Sequence, residues 1–327
     1  MEARDFGFMT STVRQKEITQ LRQSGVIFID ESSVFIGSHV KIGVGTLVHP
    51  HVELLGEVQI GERCEIEMGV TLKNIKIGDN STIHSNCYLA DSSMGSGCRI
   101  WSGVRMYNSH LDDNVTVHSP NRIVGSKIGD RADIDSYCLI KYAIVGPSCK
   151  VGPNAILEGE KLTDDELATG KQTVKLAGHC TVGAQAHLHD WVVVDMEAEI
   201  AHCEIVRSFI GARTIIKHHG YIGDATIHED CNIGAGTVFG NYDGVSKHKV
   251  IVEAGVFIGI NTSIISKKTG RIGAGAFIAA DTLVMEEIEP GTVVVRKVNK
   301  LEVIRHSRRT KKGWKITKTK PRIKKKS

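Results

Sequence analysis

The feature that most constrains this chain is a six-residue period that runs from about Val34 to about Val284. Units such as KIGVGT, QIGERC, KIGDNS and RIGAGA carry an aliphatic residue, often Gly or Asp next, then polar residues and a small one. So short a unit suits a short strand plus a tight turn, and three units make a coil of about 18 residues around a triangular prism. Apolar residues do not recur at helical spacing. The period therefore predicts stacked coils around a continuous aliphatic core.

The composition fits such a core. The 327 residues include 34 glycines, which suit tight corners, and only 5% aromatic residues. The eight cysteines form no CxxC pair, and seven of them follow an aliphatic residue by four positions. We interpret them as small core residues rather than as disulfide, redox or metal groups, because a buried thiol packs like a small hydrophobe.

Three segments interrupt the period. Residues 11–24 predict a short helix that ends at Gly25. The polar sequence of residues 158–178 indicates an insertion that leaves the prism as a loop. We expect its charged DDEL stretch to be solvated. Residues 240–249, GNYDGVSKHK, predict a second excursion, which carries chemistry.

Charge is divided unevenly along the chain. We expect a helix and linker over residues 1–30, the repeat domain over 31–295 and a basic tail over 296–327. The tail has 15 Lys and Arg against one acid, so the overall net charge of +4 leaves −10 on the rest of the chain. Such a tail indicates an anionic ligand or a solvated end. With Trp314 as its only aromatic residue and an acidic body, the chain does not favour nucleic-acid binding.

No apolar run of about 18 residues occurs, so the sequence predicts no membrane span. The N-terminal stretch MEARDFGFMTSTVRQKE carries charges where a signal peptide needs apolar residues. We therefore expect a cytoplasmic protein.

Three motifs follow one another towards the C-terminus: HHGYIGD, NIGAGT and NYDG. With the VRQKEI helix and the tail's KKGW, they closely resemble the acetyltransferase domain of the bacterial bifunctional N-acetylglucosamine-1-phosphate uridyltransferase/glucosamine-1-phosphate acetyltransferase. The resemblance covers nearly the full chain. It implies a left-handed parallel β-helix of the hexapeptide-repeat acyltransferases and a homotrimer with active sites between subunits. No glycine-rich nucleotidyltransferase loop precedes the helix, so we expect no uridylyl transfer, whether the chain is a natural standalone protein or a cut domain.

The implied reaction is N-acetylation by acetyl-CoA, which requires no metal. An amine attacks a thioester only after losing a proton, and histidine is a suitable base near neutral pH. By resemblance His218 is that base and Glu204 is the carboxylate that orients it. His219 is interpreted as a bystander. Without the motif, His218 would be only one of 15 histidines, many of them at turns.

Acceptor binding is also assigned by resemblance. The residues implied to bind the amino sugar phosphate are Tyr221, Asn232, Asn241, Tyr242 and Lys247. The amide and phenol groups of these residues can form hydrogen bonds with sugar hydroxyls, and the ammonium group can pair with a phosphate. The two asparagines can also serve as turn formers, because Asn tolerates left-handed backbone conformations.

The sequence departs from the family at three positions. His189 stands where the family has a phosphate-binding arginine, Val206 where it has a lysine, and Ile260 where it has a serine of the thioester site. Either Arg207 and His189 bind the phosphate in an altered pocket, or the acceptor is not glucosamine-1-phosphate.

Acetyl-CoA carries phosphates that call for basic residues. The resemblance implies that the Ala280 N–H polarises the thioester carbonyl and that Arg296 and Lys311 contact the phosphates. Arg308 and Arg309 compete with Lys311 for this role.

The sequence thus predicts an acetyl-CoA-dependent N-acetyltransferase with glucosamine-1-phosphate as the first candidate acceptor. Two alternatives stay open. One keeps the chemistry and changes the amino sugar acceptor. The other is a non-catalytic hexapeptide-repeat trimer that binds a nucleotide sugar or acts as a scaffold.

Overall fold

The computed structural model describes residues 11–163, 166, 173–265, 270–296, 305–310 and 313–318. Helix α1 (Ser11–Gln23) opens the chain, and Gly25, with φ of 94°, follows its end. Ile18 on this helix is fully buried, so the helix covers the start of the repeat domain. The helix predicted over residues 11–24 is confirmed.

Nearly all other elements are short parallel strands on the three faces of a prism. The first face consists of β1 (Ile27–Phe28), β4 (Leu47–Val48), β6 (Glu65–Ile66), β8 (Thr82–Ile83), β10 (Arg99–Ile100), β13 (Thr116–Val117), β16 (Asp133–Ile134), β19 (Lys150–Val151), β22 (Thr181–Val182), β24 (Glu199–Ala201), β26 (Ile215–Lys217), β29 (Asn232–Ile233), β32 (Phe257–Ile258), β35 (Phe277–Ile278) and β37 (Val293–Val294).

The second and third faces share the remaining solenoid strands, and several of these bend from one face into the next. Strands that lie on the second face or begin there are β2 (Phe35–Ile36), β5 (Glu53–Ile60), β7 (Thr71–Ile77), β9 (Tyr88–Met94), β11 (Arg105–Tyr107), β14 (Arg122–Val124), β17 (Leu139–Lys141), β20 (Ile156–Glu158), β23 (His187–Val194), β25 (Glu204–Ile210), β27 (Tyr221–Gly223), β30 (Val238–Gly240), β33 (Ser263–Ile265) and β36 (Leu283–Val284). The third face adds β3 (His39–Ile42), β12 (His110–Leu111), β15 (Lys127–Ile128), β18 (Ala143–Val145), β21 (Val174–Leu176), β28 (Ala225–Ile227), β31 (Val250–Val252) and β34 (Gly270–Ile272).

The aliphatic residue of each unit points into the prism, where the copies stack coil upon coil. On the second face, for example, Leu188, Ile205 and Ile222 are register partners and are fully buried. All eight cysteines are buried and free, which confirms that they pack in the core. Burial raises the pKa of Cys87, Cys98 and Cys138 to about 11, although backbone N–H groups partly oppose this shift. The predicted parallel β-helix with a short N-terminal helix is confirmed.

The coil length differs slightly from the expected 18 residues. From Glu65 to Lys150, register partners on the first face are 17 residues apart at each of five steps. One residue is therefore lost at a corner of each coil, which explains the one-residue slips in the repeat.

The insertion predicted over residues 158–178 is too long. Residues 174–176 form β21 on the third face, so only the segment between β20 and β21 interrupts the prism. Asp164 and Asp165 of its DDEL stretch lie outside the described residues.

The chain divides into two compact units, residues 1–295 and 296–327. In the second unit, strands β38 (Arg305–Thr310) and β39 (Gly313–Lys318) form an antiparallel hairpin that the sequence did not predict. No helix in the described part of the chain is long and apolar enough to cross a bilayer.

Candidate functional site

The candidate residues lie mainly on the second face, around strands β23, β25 and β27. We call the bend between the first and second faces the first corner, and the bend between the second and third faces the second corner. The outward side chains His187, Glu204 and Tyr221 are register partners on successive coils. The first corner brings His218 to one side of this stack, and the second corner brings Arg207 to the other.

His218 lies on a corner that is one residue longer than its predecessor. Ala201 and Lys217 are register partners, as are Glu204 and Tyr221, so two residues turn the earlier corner and three turn the later one. The extra residue leaves His218 and His219 with φ of 69° and 60°, an adjacent left-handed pair found at no other place among the described non-glycine residues. Such backbone strain persists only where the surroundings fix it.

The imidazole of His218 is exposed, and its ring centroid lies 6.1 Å from that of His202 on the preceding coil. His219 is exposed at the same corner. Two imidazole nitrogens nearby, His187 Nε2 and His202 Nδ1, are buried and have no hydrogen-bond partner in the described part of the structure.

Glu204 does not contact its predicted partner in this structure. Its Oε1 atom lies 3.0 Å from Nε2 of His189, and 49% of the side chain is exposed. Glu204 is the register partner of His187, and His189 lies two residues further along the same strand. Because alternate residues of a strand point to the same side, the imidazoles of His187 and His189 and the carboxylate of Glu204 lie on one face of two adjacent coils. The carboxylate that was predicted to orient His218 is thus paired with the residue that was predicted to contact phosphate.

Arg207 is held between two carboxylates at the second corner. Its Nε and Nη2 atoms donate to Asp224 at 2.8 and 2.9 Å, and Nη1 donates to Asp190 at 2.7 Å. Hydrogen bonds that Arg207 donates to Asp224 raise the pKa of Arg207 further above its usual range. Burial raises the pKa of Asp224, but hydrogen bonds from Arg207 and Asn241 outweigh it and leave this pKa below its usual value.

The excursion after β30 places further candidates beside this cluster. Asn241 is buried and its amide donates to Asp224, which combines a structural role with its predicted binding role. Tyr242 and Lys247 are exposed and form an isolated antiparallel bridge. The turn between them is fixed by Asp243, whose Oδ1 accepts from the N–H groups of Val245 and Ser246 at 2.8 Å each.

Other candidates lie apart from this cluster within a single chain. Asn232 is exposed on the first face. Ala280 is exposed at the first corner, three coils beyond His218. Arg296 is exposed at the first position of the tail, and Lys311 lies outside the described residues.

The departures from the family have clear structural settings. Val206 is buried, with His189 and Gly223 as its register partners, so no cation occupies this position of the second face. Ile260 is 52% exposed at the first corner, on the coil before that of Ala280. No group of three or more His, Cys, Asp or Glu residues in the described ranges could hold a metal ion.

Sequence reasoning missed Asp190 and Asp224 as partners of Arg207. The signal was present, because Asp190, Arg207 and Asp224 are separated by 17 residues each, which is the coil length.

Comparisons with known proteins agree with this fold. A family described as "GlmU-like, C-terminal hexapeptide" matches residues 81–175. The bifunctional protein GlmU of Pelobacter propionicus is 26% identical over 305 residues, which are 93% of this chain and 46% of that protein. GlmU of Rubrobacter xylanophilus is 35% identical over 154 residues, 46% of this chain and 32% of that protein. The chain spans about half the length, or less, of the curated relatives it matches.

Among solved structures, the UDP-N-acetylglucosamine acyltransferase of Francisella novicida is similar at 16% identity and a TM-score of 0.28, over 58% of this chain and 63% of that one. The motifs, the hexapeptide coils and the GlmU matches agree with one another: the chain is a parallel β-solenoid of hexapeptide repeats that is similar to the C-terminal hexapeptide region of GlmU.

Proposed function

We propose that this protein is an acetyl-CoA-dependent N-acetyltransferase that acts on an amino sugar. The observation that carries the proposal is the position of His218: an exposed imidazole on a strained corner, beside a polar face that holds Glu204, Tyr221 and Asn241 on neighbouring coils. The hexapeptide acyltransferase fold supports the same reaction class. The proposal covers acetyl transfer alone.

In the proposed step, the neutral amine forms an N–C bond with the thioester carbonyl, and the C–S bond breaks. His218 accepts the amine proton and returns it to the departing CoA thiolate, so that free thiol and an amide are formed. Glu204, whose side chain is about half exposed, exchanges His189 for His218 when the acceptor binds. That exchange fixes the tautomer of His218 in the manner of a catalytic triad.

The proposed oxyanion donor must come from another subunit. Ala280 lies three coils from His218 along the first corner, a separation of about 14 Å at about 4.8 Å per coil. One thioester cannot touch both groups over that distance within a single chain. We therefore propose a homotrimer in which Ala280 and the phosphate contacts of Arg296 and Lys311 face the His218 of a neighbour. The proposed setting is the cytoplasm.

Glucosamine-1-phosphate is the first candidate acceptor because the motifs resemble those of the GlmU acetyltransferase domain. A second candidate is a different amino sugar, with the same chemistry. The contacts of Arg207 and His189 favour this second candidate, since both side chains are already paired with carboxylates.

The test is to incubate the protein with acetyl-CoA and either glucosamine or glucosamine-1-phosphate, and to measure the N-acetylated sugar by mass spectrometry. Binding of CoA is measured separately by calorimetry. Product that depends on His218 supports the proposal. Failure of every amino sugar tested, together with no CoA binding, contradicts it and leaves the non-catalytic trimer.

A subunit mixing experiment tests the shared site. His218→Ala and Ala280→Pro, which removes the N–H, should each abolish most of the activity alone. Refolding the two variants together should restore a fraction of it, because some sites then combine an intact His218 with an intact Ala280. No recovery in mixed trimers would contradict a site between subunits.

A further inference from the structure

The charges around the candidate acceptor site do not suit a phosphate dianion. Asp190, Glu204 and Asp224 carry three negative charges, whereas the permanent cations Arg207 and Lys247 carry two. The guanidinium of Arg207 already donates to both neighbouring aspartates, and its side chain is only 23% exposed. Lys247 lies close enough to lower the pKa of Asp224.

His189 does not reverse this balance. Its Nε2 atom contacts Glu204 at 3.0 Å, and its Nδ1 atom lies 3.7 Å from Asp190. Each of Arg207 and His189 therefore faces two carboxylate-bearing residues. A phosphate entering here would displace these pairs and meet like charge, whereas an ammonium or a neutral sugar would not.

Along the second corner, residues with left-handed backbone conformations form a column that extends from this site. Because the coils are in register, the residues that turn this corner lie above one another. The column consists of Gly56, Asn74, Asp91, Asn108, Gly125, Tyr142, Gly159, Asp190, Arg207 and Asp224. Apart from Gly159, every member has a φ between 45° and 71°.

A groove follows this column to the candidate site. It consists of three adjoining depressions of about 510, 830 and 390 Å³. Asn74 and Ser92 line both the first and the second, and Tyr142 lines both the second and the third. His189 and Asp190 line the third. From Asn74 to Asp190 the column takes six coil steps, so the groove is about 29 Å long at about 4.8 Å per coil.

The lining of the groove has the chemistry of a carbohydrate site. The ring of Tyr142 lies across the corner at Gly125, where an added Cβ would come within 2.5 Å of two ring carbons. The side chain of Asn108 is exposed at the same corner. An aromatic ring packs against the C–H face of a sugar, and amides bind its hydroxyls. Acidic Asp91 and basic Lys127 both line the groove, so its charge is mixed.

We infer that the acceptor is an extended glycan with a free amino sugar at its end, rather than a small sugar phosphate. The chain would lie along the second corner, and its terminal residue would reach the second face beside Glu204 and Tyr221. One hexose of an extended glycan is about as long as one coil rise, about 5 Å, so successive sugars would meet successive coils. This inference rests on the proposed function and names its substrate class.

The test compares four acceptors in the acetyl transfer assay: glucosamine, glucosamine-1-phosphate, and the glucosamine tetramer and hexamer. We expect kcat/KM to rise at least about 10-fold from monomer to hexamer, with glucosamine-1-phosphate no better than glucosamine. A preference for glucosamine-1-phosphate, or no dependence on chain length, would overturn the inference while leaving N-acetyl transfer established.

Binding is measured independently of catalysis, with the uncharged N-acetylglucosamine hexamer as the calorimetric probe. Because this probe is uncharged, its binding cannot result from electrostatic attraction between a cationic oligomer and the acidic repeat domain. If neither transfer nor CoA binding occurs, the proposed function fails. If the wild-type protein does not bind the hexamer at millimolar concentration, the groove inference fails on its own.

The variants form a matched pair. Tyr142→Ala should raise the KM for the glucosamine hexamer by about 5- to 10-fold without changing kinetics on glucosamine, and Tyr142→Phe should restore the wild-type KM. Tyr137 has a similar φ of 62° on the same coil, but it lies at the first corner, outside the groove. Tyr137→Ala should change neither value. Equal effects of the two alanine variants would indicate a structural cause and overturn the assignment.

Discussion

The interior of the prism and its second corner use the same coil geometry for opposite purposes. Ile205 stacks between Leu188 and Ile222, and all three are fully buried aliphatic residues. Two residues further along, Arg207 stacks between Asp190 and Asp224 and contacts both. In both stacks, the strand register places equivalent positions of successive coils next to one another. Packing of the interior stack requires only apolar side chains of suitable volume, whereas the contacts of the corner stack require side chains of opposite charge.

The comparison teaches where function can reside in this fold. An interior stack of aliphatic residues is interchangeable between coils, so it specifies the prism but not its activity. A corner stack is exposed on one side and is held by the strands on the other, so its side chains can differ from coil to coil.

Replacing an interior residue should have the largest effect on stability. Ile205→Ala removes a fully buried side chain from a packed stack, and we expect the free energy of unfolding to fall by about 2–5 kcal/mol. Ile27→Ala is the matched control, because Ile27 is 55% exposed on the first face. Urea denaturation of both variants measures the difference. Equal losses would show that the interior stack does not carry the fold.

Replacing a corner carboxylate should have a smaller effect. Asp224→Asn keeps a residue that tolerates φ of 51°, but it removes the charge that Arg207 faces. We expect a loss of about 1–3 kcal/mol in unfolding free energy, because Arg207 is largely buried and would be left half paired. Asp230→Asn is the control: Asp230 pairs with Arg213 through the same bidentate contact, but about half of each side chain is exposed. A loss as large for Asp230→Asn would contradict the importance of burial at the second corner.

The contribution of Asp224 should depend on pH. Its pKa is lower in the folded protein than its usual value of 3.8, so its stabilising effect is complete above pH 3.8 and is lost as the pH falls through the folded pKa. The stability difference between wild type and Asp224→Asn should therefore shrink when unfolding is measured at decreasing pH below 3.8. A difference that stays constant down to pH 2 would mean that the ion pair does not stabilise the fold.

The smallest effect is expected for the reactivity of the cysteine thiols in the native protein, which should not be labelled. Burial raises the pKa of Cys87 and Cys98 to about 11 and that of Cys203 to about 12, so these thiols are protonated and shielded at pH 8. None of the eight cysteines should react rapidly with Ellman's reagent before urea is added, and all should react afterwards. Rapid labelling of native protein would contradict the packing interpretation.

The sequence predicted the fold because one aliphatic residue per unit repeats over most of the chain. It also predicted where the period is interrupted, since a break in so regular a period is visible without a structure. The end of the first insertion was predicted too late, because β21 begins at Val174. It placed Glu204, His218 and Tyr221 in one region because the coil length converts sequence spacing into stacking.

The partners at the corners were not predicted, because a coil of 17 residues rather than 18 changes which side chains meet. With 17-residue spacing, Asp190, Arg207 and Asp224 form a column, and Lys141 faces Glu158 in the same way. The contact between Glu204 and His189 could not be foreseen either, since it depends on side-chain rotamers above the second face. No pattern in the sequence specifies which of two histidines a half-exposed carboxylate contacts.

The most direct test of this account compares two adjacent histidines at the first corner. His218 and His219 are both exposed and both left-handed, so replacing either with alanine should perturb the backbone to a similar extent. With acetyl-CoA and the best amino sugar acceptor, we expect kcat to fall by about 10²- to 10⁴-fold in His218→Ala and by less than about threefold in His219→Ala. Equal activity of the two variants would contradict the assignment of His218 as the base.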